Sequence, residues 1–333
     1  MGARKPQLAI VIPVWNLPED LSDLLATICN IPIFSEVIVS DDGSDLCCDP
    51  EALGFNSDRL GARLLYLRSE ERRGAGHARN VALDAVTADN VIFFDSDDVI
   101  CPEIEEIWQQ HIASGVDEIS TDFTIFRHSD SRILEAENRE GSFPRDERRW
   151  HQVLDHAESA LLDRRARTRL CGISAYPWNK IYRTDFLREH DIRCSETPVH
   201  NDIRLHWLSF VHARRVLALR TIGAIHVVGS RTHHLTTQVG RERFCVFDVF
   251  QDILTHIREE QGRQQFLRYF VDFAHNLCRW NLAQIDESLR EDFSMEMSNL
   301  YFSLSPAEFS LYASWQPVEA NRIVEFLTSG EMP

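Results

Sequence analysis

At 333 residues, with 35 Lys and Arg against 52 Asp and Glu, the chain carries a formal charge of −17. That balance argues against a nucleic-acid surface and against adhesion to anionic lipid by bulk charge, so an anionic ligand must be held locally by a metal or a few placed arginines. The length suits one large domain or a domain with a helical appendage.

No apolar run approaches the roughly 20 residues of a membrane helix, and Met1 to Gln7 lacks the apolar core of a secretory signal, so a cytosolic protein is expected. Eight cysteines are scattered without a CxxC pair, which signals neither a zinc site nor a disulfide framework.

Leu8 to Val14 is almost wholly apolar and β-branched and then breaks at Pro13, Trp15, Asn16 and Pro18, the pattern of a buried parallel strand followed by a loop. A helix is predicted over Glu19 to Cys29, a strand over Glu36 to Ser40 ending in Asp41, Asp42, Gly43 and Ser44, and a third strand over Ala62 to Leu67. Gly74 to Val86 reads as a helix and Val91 to Phe94 as a fourth strand. This is the rhythm of an open α/β sheet, whose ligands sit at the C-terminal ends of parallel strands.

The fourth strand runs straight into Asp95, Ser96, Asp97 and Asp98. Carboxylates crowded in this way repel one another and are expensive to desolvate, so at the end of a buried strand they suit a cation that carries a phosphorylated ligand. The alternative is a solvated acidic turn. Because Pro13 to Asn16, Asp41 to Ser44 and Asp95 to Asp98 each follow an apolar strand, the fold gathers them along one sheet edge, which favours the ligand site.

Further on, a helix is predicted over Ile104 to Ser114 and a strand over Glu118 to Phe126, then a charge-rich loop or hairpin from Arg127 to Arg149. Helices follow over Trp150 to Arg165, Asp185 to His190 and Asp202 to Ala213, with strands over Arg215 to Leu219 and Ala224 to Val228. From Arg241 the pattern is helical throughout, with Phe247, Phe250, Ile253 and Leu254 on one face and Phe266, Phe270, Phe273 and Leu277 on another. The expected division is residues 1–228 and residues 229–333.

The segments IVIPVWN (Ile10 to Asn16), VIVSDDGS (Val37 to Ser44), GAGHARNVALDAV (Gly74 to Val86) and VIFFDSDD (Val91 to Asp98) resemble, in order and spacing, the family 2 glycosyltransferases of the GT-A fold. PWNKIYRTDFL (Pro177 to Leu187) and VHNDIRLHW (Val199 to Trp207) resemble that family's acceptor-side elements. The resemblance covers about Leu8 to Val228 and implies an α/β, Rossmann-like nucleotide-diphospho-sugar transferase domain with a mostly helical C-terminal region.

It further implies an inverting transfer from a nucleotide sugar, a UDP-sugar, to a saccharide or lipid-linked acceptor, in the setting of bacterial surface polysaccharide assembly. Asp95-Ser96-Asp97 resembles the DXD motif, with Asp97 and Asp95 at the metal, Mn²⁺ or Mg²⁺, and with Asp95 and Ser96 at the nucleotide. Asp98 either orients its neighbours or caps a helix. Asp41 and Asp42 stand where the family reads the base, with an Asp-Gly-Ser turn as the alternative and the two compatible; Pro13, Val14 and Asn16 line the same pocket, and Arg79 offsets donor charge or fixes the acids, with a surface ion pair as its alternative.

Asp202 is the expected general base, against the alternative of an N-cap. The family usually presents Glu-Asp there, and this chain has Asn201-Asp202. Trp178 is a candidate for sugar stacking or for core packing, Lys180 for phosphate or acceptor contact. Arg231, His233 and His234 resemble the segment that closes over the donor, where an Arg grips pyrophosphate or a His completes the metal shell.

The C-terminal helices carry no chemical signature. They are expected to pack on the transferase domain, shape the acceptor site, or mediate self-association or peripheral docking at the inner face of the membrane. A nucleotidyltransferase is the weaker rival, because its Gly-rich basic loop is replaced by Pro13, Val14, Trp15 and Asn16. Asn201 motivates a second rival, a protein that binds nucleotide or glycan without turnover.

Overall fold

The computed structural model describes residues 5–115, 120–132, 137–140, 143–228 and 238–329. The chain divides into two compact units, Met1–Glu196 with Asn201–Ser230, and Thr197–His200 with Arg231–Pro333.

Among the described residues the first unit is built on ten strands: β1 (Leu8–Val14), β2 (Phe34–Asp41), β3 (Arg63–Arg68), β4 (Asn90–Phe93), β5 (Val99–Ile100), β6 (Phe123–Arg132), β7 (Glu137–Glu140), β8 (Ser159–Leu161), β9 (Lys180–Arg183) and β10 (Val216–Val228). They form one sheet in the order β3-β2-β1-β4-β9-β6-β10-β5, with β7 paired to β6 and β8 to β10. β1 runs parallel to β2 and β4, and β2 to β3. β9 enters antiparallel between β4 and β6, and β6 and β10 are again parallel. The sheet becomes mixed where β9 inserts between β4 and β6.

Every residue of β1 is buried, so alternation sends its side chains into two cores. Leu8, Ile10, Ile12 and Val14 join Leu21, Leu24, Leu25 and Ile28 of the helix Pro18–Ile28, and Ile104, Ile107 and Trp108 of the helix Ile104–Ala113. Each such side chain contributes about 1.5–3 kcal/mol of burial. The helix Ala75–Ala85 packs on β1 and β2.

Four sequence expectations differ from the structure. The strand placed at Glu118 to Phe126 is β6, which starts at Phe123 and continues through His128 and Asp130. Those polar residues are buried, 5% and 1% exposed, and hydropathy does not report burial of this kind. The helix expected over Trp150 to Arg165 runs instead over Pro144–Leu154, with β8 and the helix Arg164–Leu170 after it. Arg215 to Leu219 and Ala224 to Val228 are one strand, β10, whose register shifts between Leu219 and Ala224 supply the break read as a gap. β9 and β5 were not anticipated.

The second unit is helical, with helices Cys245–Arg258, Leu267–Gln284, Arg290–Phe302, Pro306–Trp315 and Pro317–Ser329. Phe247, Phe250, Ile253, Leu254, Phe266, Phe270 and Phe273 are all buried, as the helical period requires. Tyr301 and Tyr312 are buried too, but Trp280 and Phe302 are 38% and 71% exposed, so those two aromatics are not core. Among the described residues no helix is long and apolar enough to cross a membrane.

Candidate functional site

At the C-terminal end of β2, both carboxylates are spent on loop geometry. Asp41 Oδ1 accepts from Ser44 N at 2.8 Å and Oδ2 from Tyr66 Oη at 2.6 Å. Asp42 accepts from the backbone N–H groups of Arg73 at 2.8 Å and Gly74 at 2.7 Å. Gly43, at φ +73, is required because a Cβ there would lie 2.7 Å from the Glu71 carbonyl carbon. Asn16, itself left-handed at φ 55, donates from its backbone to Ser44 Oγ at 2.8 Å and accepts from Asp45 N and Leu46 N at 2.7 and 3.0 Å. Pro13 and Val14 are buried within β1 opposite Ser40 and Asp41. This edge is a stitched loop pair in which the turn chemistry of Asp41 and Asp42 is fully expressed. Beside it the Arg72 guanidinium lies over the Trp15 ring, 3.6 Å from its centroid.

The β4 strand leads into the acidic turn, where Phe94 N donates to Val11 O at 2.8 Å and Asp98 N to Asp95 O at 3.2 Å. Asp95 pairs with the Arg79 Nη2 group. Ser96 is buried and Asp97 half-buried. Asp98 caps no helix: its Oδ1 accepts from Val227 N at 2.9 Å, which ties the end of β10 to the turn. Burial pushes the Asp98 carboxyl well above its ordinary range; His226 opposes that, and Asp95 and Asp97 add to it. Like charges therefore crowd this turn as the sequence suggested.

Arg79 is no surface ion pair. It is 4% exposed, and while Nη2 engages Asp95, Nη1 donates to Asn201 Oδ1 at 2.7 Å. The approach depends on Gly76, where a Cβ would stand 2.1 Å from Ser195 O and 2.9 Å from Asn201 Cβ. The helix Ala75–Ala85 can thus lie against Ser195 and Asn201, and one arginine joins the acidic turn to the residue before Asp202.

Asp202 occupies the N-cap position of the helix Ile203–His212, yet its side chain makes no capping bond. Burial raises its carboxyl to about 6 against the opposing pull of Arg79, its own backbone N–H and Lys180, while Asp95 adds to the rise. Lys180 is fully buried, with Nζ donating to Tyr176 O and Asn179 Oδ1, both at 2.6 Å. Desolvation lowers its ammonium to about 7, with Asp202 the opposing charge. A partly desolvated carboxylate with a proton affinity near neutrality is what a general base needs.

Trp178 is 1% exposed and stacks on Tyr176 at 4.6 Å between ring centroids, a packing role rather than an open sugar platform. Arg231, His233 and His234 lie outside the described residues. The structure therefore brings Asp95, Arg79, Asn201, Asp202 and Lys180 into one linked group and leaves Asp41, Asp42 and Asn16 in a second. Sequence reading missed Tyr176, Asp130 and His226, which share the sheet edge near Asp98. The alternation of His128 and Asp130 on β6 was the available signal.

A sequence profile described as Glycosyl transferase family 2 matches residues 9–167. No curated protein sequence matches the chain. Among solved structures, TarS 1–349 from S. aureus in complex with UDP-GlcNAc superposes with a TM-score of 0.73 at 18% identity, over 98% of this chain and 92% of that one. The same fragment in complex with UDP gives a TM-score of 0.70 at 18% identity, with the same coverage. The mannosyltransferase PcManGT from Pyrobaculum calidifontis, in complex with GDP-Man and Mn²⁺, gives 0.57 at 15% identity, over 99% and 89%. Residues 9–167 thus match the model of glycosyl transferase family 2, and the mixed α/β sheet has the GT-A fold.

Proposed function

We propose that the chain is a metal-dependent inverting glycosyltransferase that moves a hexosyl or N-acetylhexosaminyl group from a UDP-sugar to a saccharide or lipid-linked acceptor, in bacterial surface polysaccharide assembly. The observation that carries this reading is Asp202: it holds an N-cap position without capping, has its carboxyl raised to about 6, and is linked through Asn201 and Arg79 to Asp95. In the displacement, the acceptor oxygen bonds to the anomeric carbon as the bond from that carbon to the diphosphate breaks. The electron pair leaves with the nucleotide diphosphate and the acceptor's proton passes to Asp202.

The turn fits a hard divalent cation, Mn²⁺ or Mg²⁺, by the chemistry of its donors: Asp95 and Asp97 would supply carboxylate oxygens on a turn where burial, with their charges added, raises the Asp98 carboxyl. Among the described residues no group of three or more His, Cys, Asp or Glu is placed to hold a metal alone. Asp95 and Asp97 would hold such an ion together with the phosphates of the donor. When bound, it neutralises charge on the departing diphosphate. PcManGT in complex with GDP-Man and Mn²⁺, and TarS in complex with UDP-GlcNAc and UDP, support the choice of ligand class.

Titration with UDP and Mn²⁺ tests this. Metal-dependent binding is expected in the native chain and its metal dependence is lost in Asp97→Ala; absence of binding, or undiminished metal dependence in the variant, sinks the reading. Asn201 favours a second reading, a binder without turnover. Donor hydrolysis or transfer that vanishes in Asp202→Asn excludes it.

A further inference from the structure

Cys194 and Ser195 lie in neither helix nor strand, so their backbone groups need partners from elsewhere. Asn80, on the helix Ala75–Ala85 and 8% exposed, supplies both for Cys194. Its Oδ1 accepts from Cys194 N and its Nδ2 donates to Cys194 O, each at 3.0 Å. A side-chain amide thus stands in for the backbone of a neighbouring strand. The further Nδ2 contact, to Glu196 Oε1, is longer at 3.4 Å. The same helix also meets this segment through Asp84 and Arg193 at 2.6 Å and through His77 and Glu196 at 3.1 Å. Those pairs are open to solvent, where an ion pair is worth little. The Asn80 clamp is buried, so the placement of the segment on the helix rests on it.

One further bond carries the clamp to Asp202. Ser195 N donates to Asn201 O at 2.9 Å, and that carbonyl shares a peptide plane with the Asp202 N–H. Asp202 O in turn accepts from His206 N at 3.0 Å. The backbone is therefore fixed on both sides of a carboxylate that makes no capping bond of its own. We propose that Asn80 is a positioning residue for the general base: its grip on Cys194 sets where Ser195 holds the Asn201–Asp202 peptide, and so aims the Asp202 carboxylate at the acceptor hydroxyl. This rests on the reading of Asp202 given above. Adjacent residues of one helix then share the task, Arg79 holding the Asn201 side chain and Asn80 the backbone that leads to it. A base displaced by about 1 Å loses up to about 10²-fold in rate.

The test is single-turnover hydrolysis of UDP-GlcNAc with Mn²⁺, water serving as acceptor, beside calorimetric titration of UDP with Mn²⁺. The proteins compared are the native chain, Asn80→Asp, Asp202→Asn and the double variant. Asn80→Asp keeps the acceptor for Cys194 N and loses the donor to Cys194 O. It is expected to slow hydrolysis roughly 10- to 100-fold with UDP affinity native. In the Asp202→Asn background it is expected to slow hydrolysis no further, because the clamp works only through that carboxylate. Asn80→Ala, which puts no charge beside Glu196, is expected to behave alike and carries the test if Asn80→Asp does not fold. Native-rate hydrolysis in the folded variant, a full additional loss in the Asp202→Asn background, or failure of both variants to fold makes Asn80 a structural residue and overturns the proposal. Hydrolysis that is absent in the native chain, or undiminished in Asp202→Asn alone, instead overturns the general-base reading, and with it this role.

Discussion

The carboxylates after β2 and the carboxylate at Asp202 all lie within the first unit, but they are held by opposite means. Asp42 accepts from two backbone N–H groups and Asp41 from a backbone N–H and a tyrosine hydroxyl. Asp202 has cations near it, Arg79 and Lys180, and no capping bond. A carboxylate saturated with donors stabilises the loops it ties together. One that is desolvated, with nearby charge and its own backbone N–H opposing the burial only in part, weakens the fold and keeps an appetite for a proton. On the proposed reading, the first kind builds a site and the second performs its chemistry.

The largest effect that sharpens this contrast is on rate. Asp202→Asn is expected to reduce transfer by about 10²–10⁴-fold, the range of a lost general base, while UDP affinity stays native; single-turnover kinetics beside calorimetry separates the two. Stability should move the other way. The folded-state value of about 6 lies above the ordinary 3.8, so between those limits the native state binds more protons than the unfolded one, and stability falls as pH rises through that window. At pH 7 the neutral amide is therefore expected to stabilise the chain, on the order of 2 kcal/mol, as read by denaturant titration. A loss of stability would place Asp202 with Asp42.

Asp42→Ala is the mirror experiment. Removing a buried carboxylate that serves two backbone donors strands both N–H groups, and a loss of about 2–4 kcal/mol in the same assay is expected. Asp42→Asn keeps one acceptor oxygen and falls between. If Asp42→Ala instead left stability intact and removed only UDP binding, the loop role assigned to this acid would fail.

How much of this was legible depended on whether the chemistry was local. The acidic turn of Asp95 to Asp98 is visible in the sequence because its three carboxylates follow an apolar strand directly, and β1, β2 and the helix Ala75–Ala85 are legible to within about two residues from periodicity and its breaks. The role of Arg79 was half legible: a lone arginine in an apolar helix was visible, but its bridge to Asn201, 122 positions away, exists only through the sheet topology and the clearance at Gly76. Whether Asp202 capped its helix was open in the sequence, since position is the same either way and only the side-chain bond decides. His226 and Asp130 were hidden because a buried polar end of a strand looks like a loop until its partner strand is placed beside it.

The smallest effect probes how Asp202 is tuned. Lys180 is buried and pressed down to about 7 by desolvation, and it draws Asp202 downward in turn. Methionine matches its volume without its charge. In Lys180→Met the Asp202 carboxyl loses one of the charges that oppose its burial, so the acid limb of the transfer profile moves to higher pH. Activity is expected to fall roughly two- to five-fold at pH 6 and less at pH 8, with UDP affinity unchanged. The stability sign is independent of catalysis. A lysine whose folded value is depressed from 10.5 to about 7 binds fewer protons folded than unfolded across that window, so native stability rises with pH there. The methionine variant lacks that slope and gains most below pH 7. An unmoved acid limb with the stability slope abolished would leave Lys180 as a strut for Tyr176 and Asn179, and would assign the tuning of Asp202 to Arg79 alone.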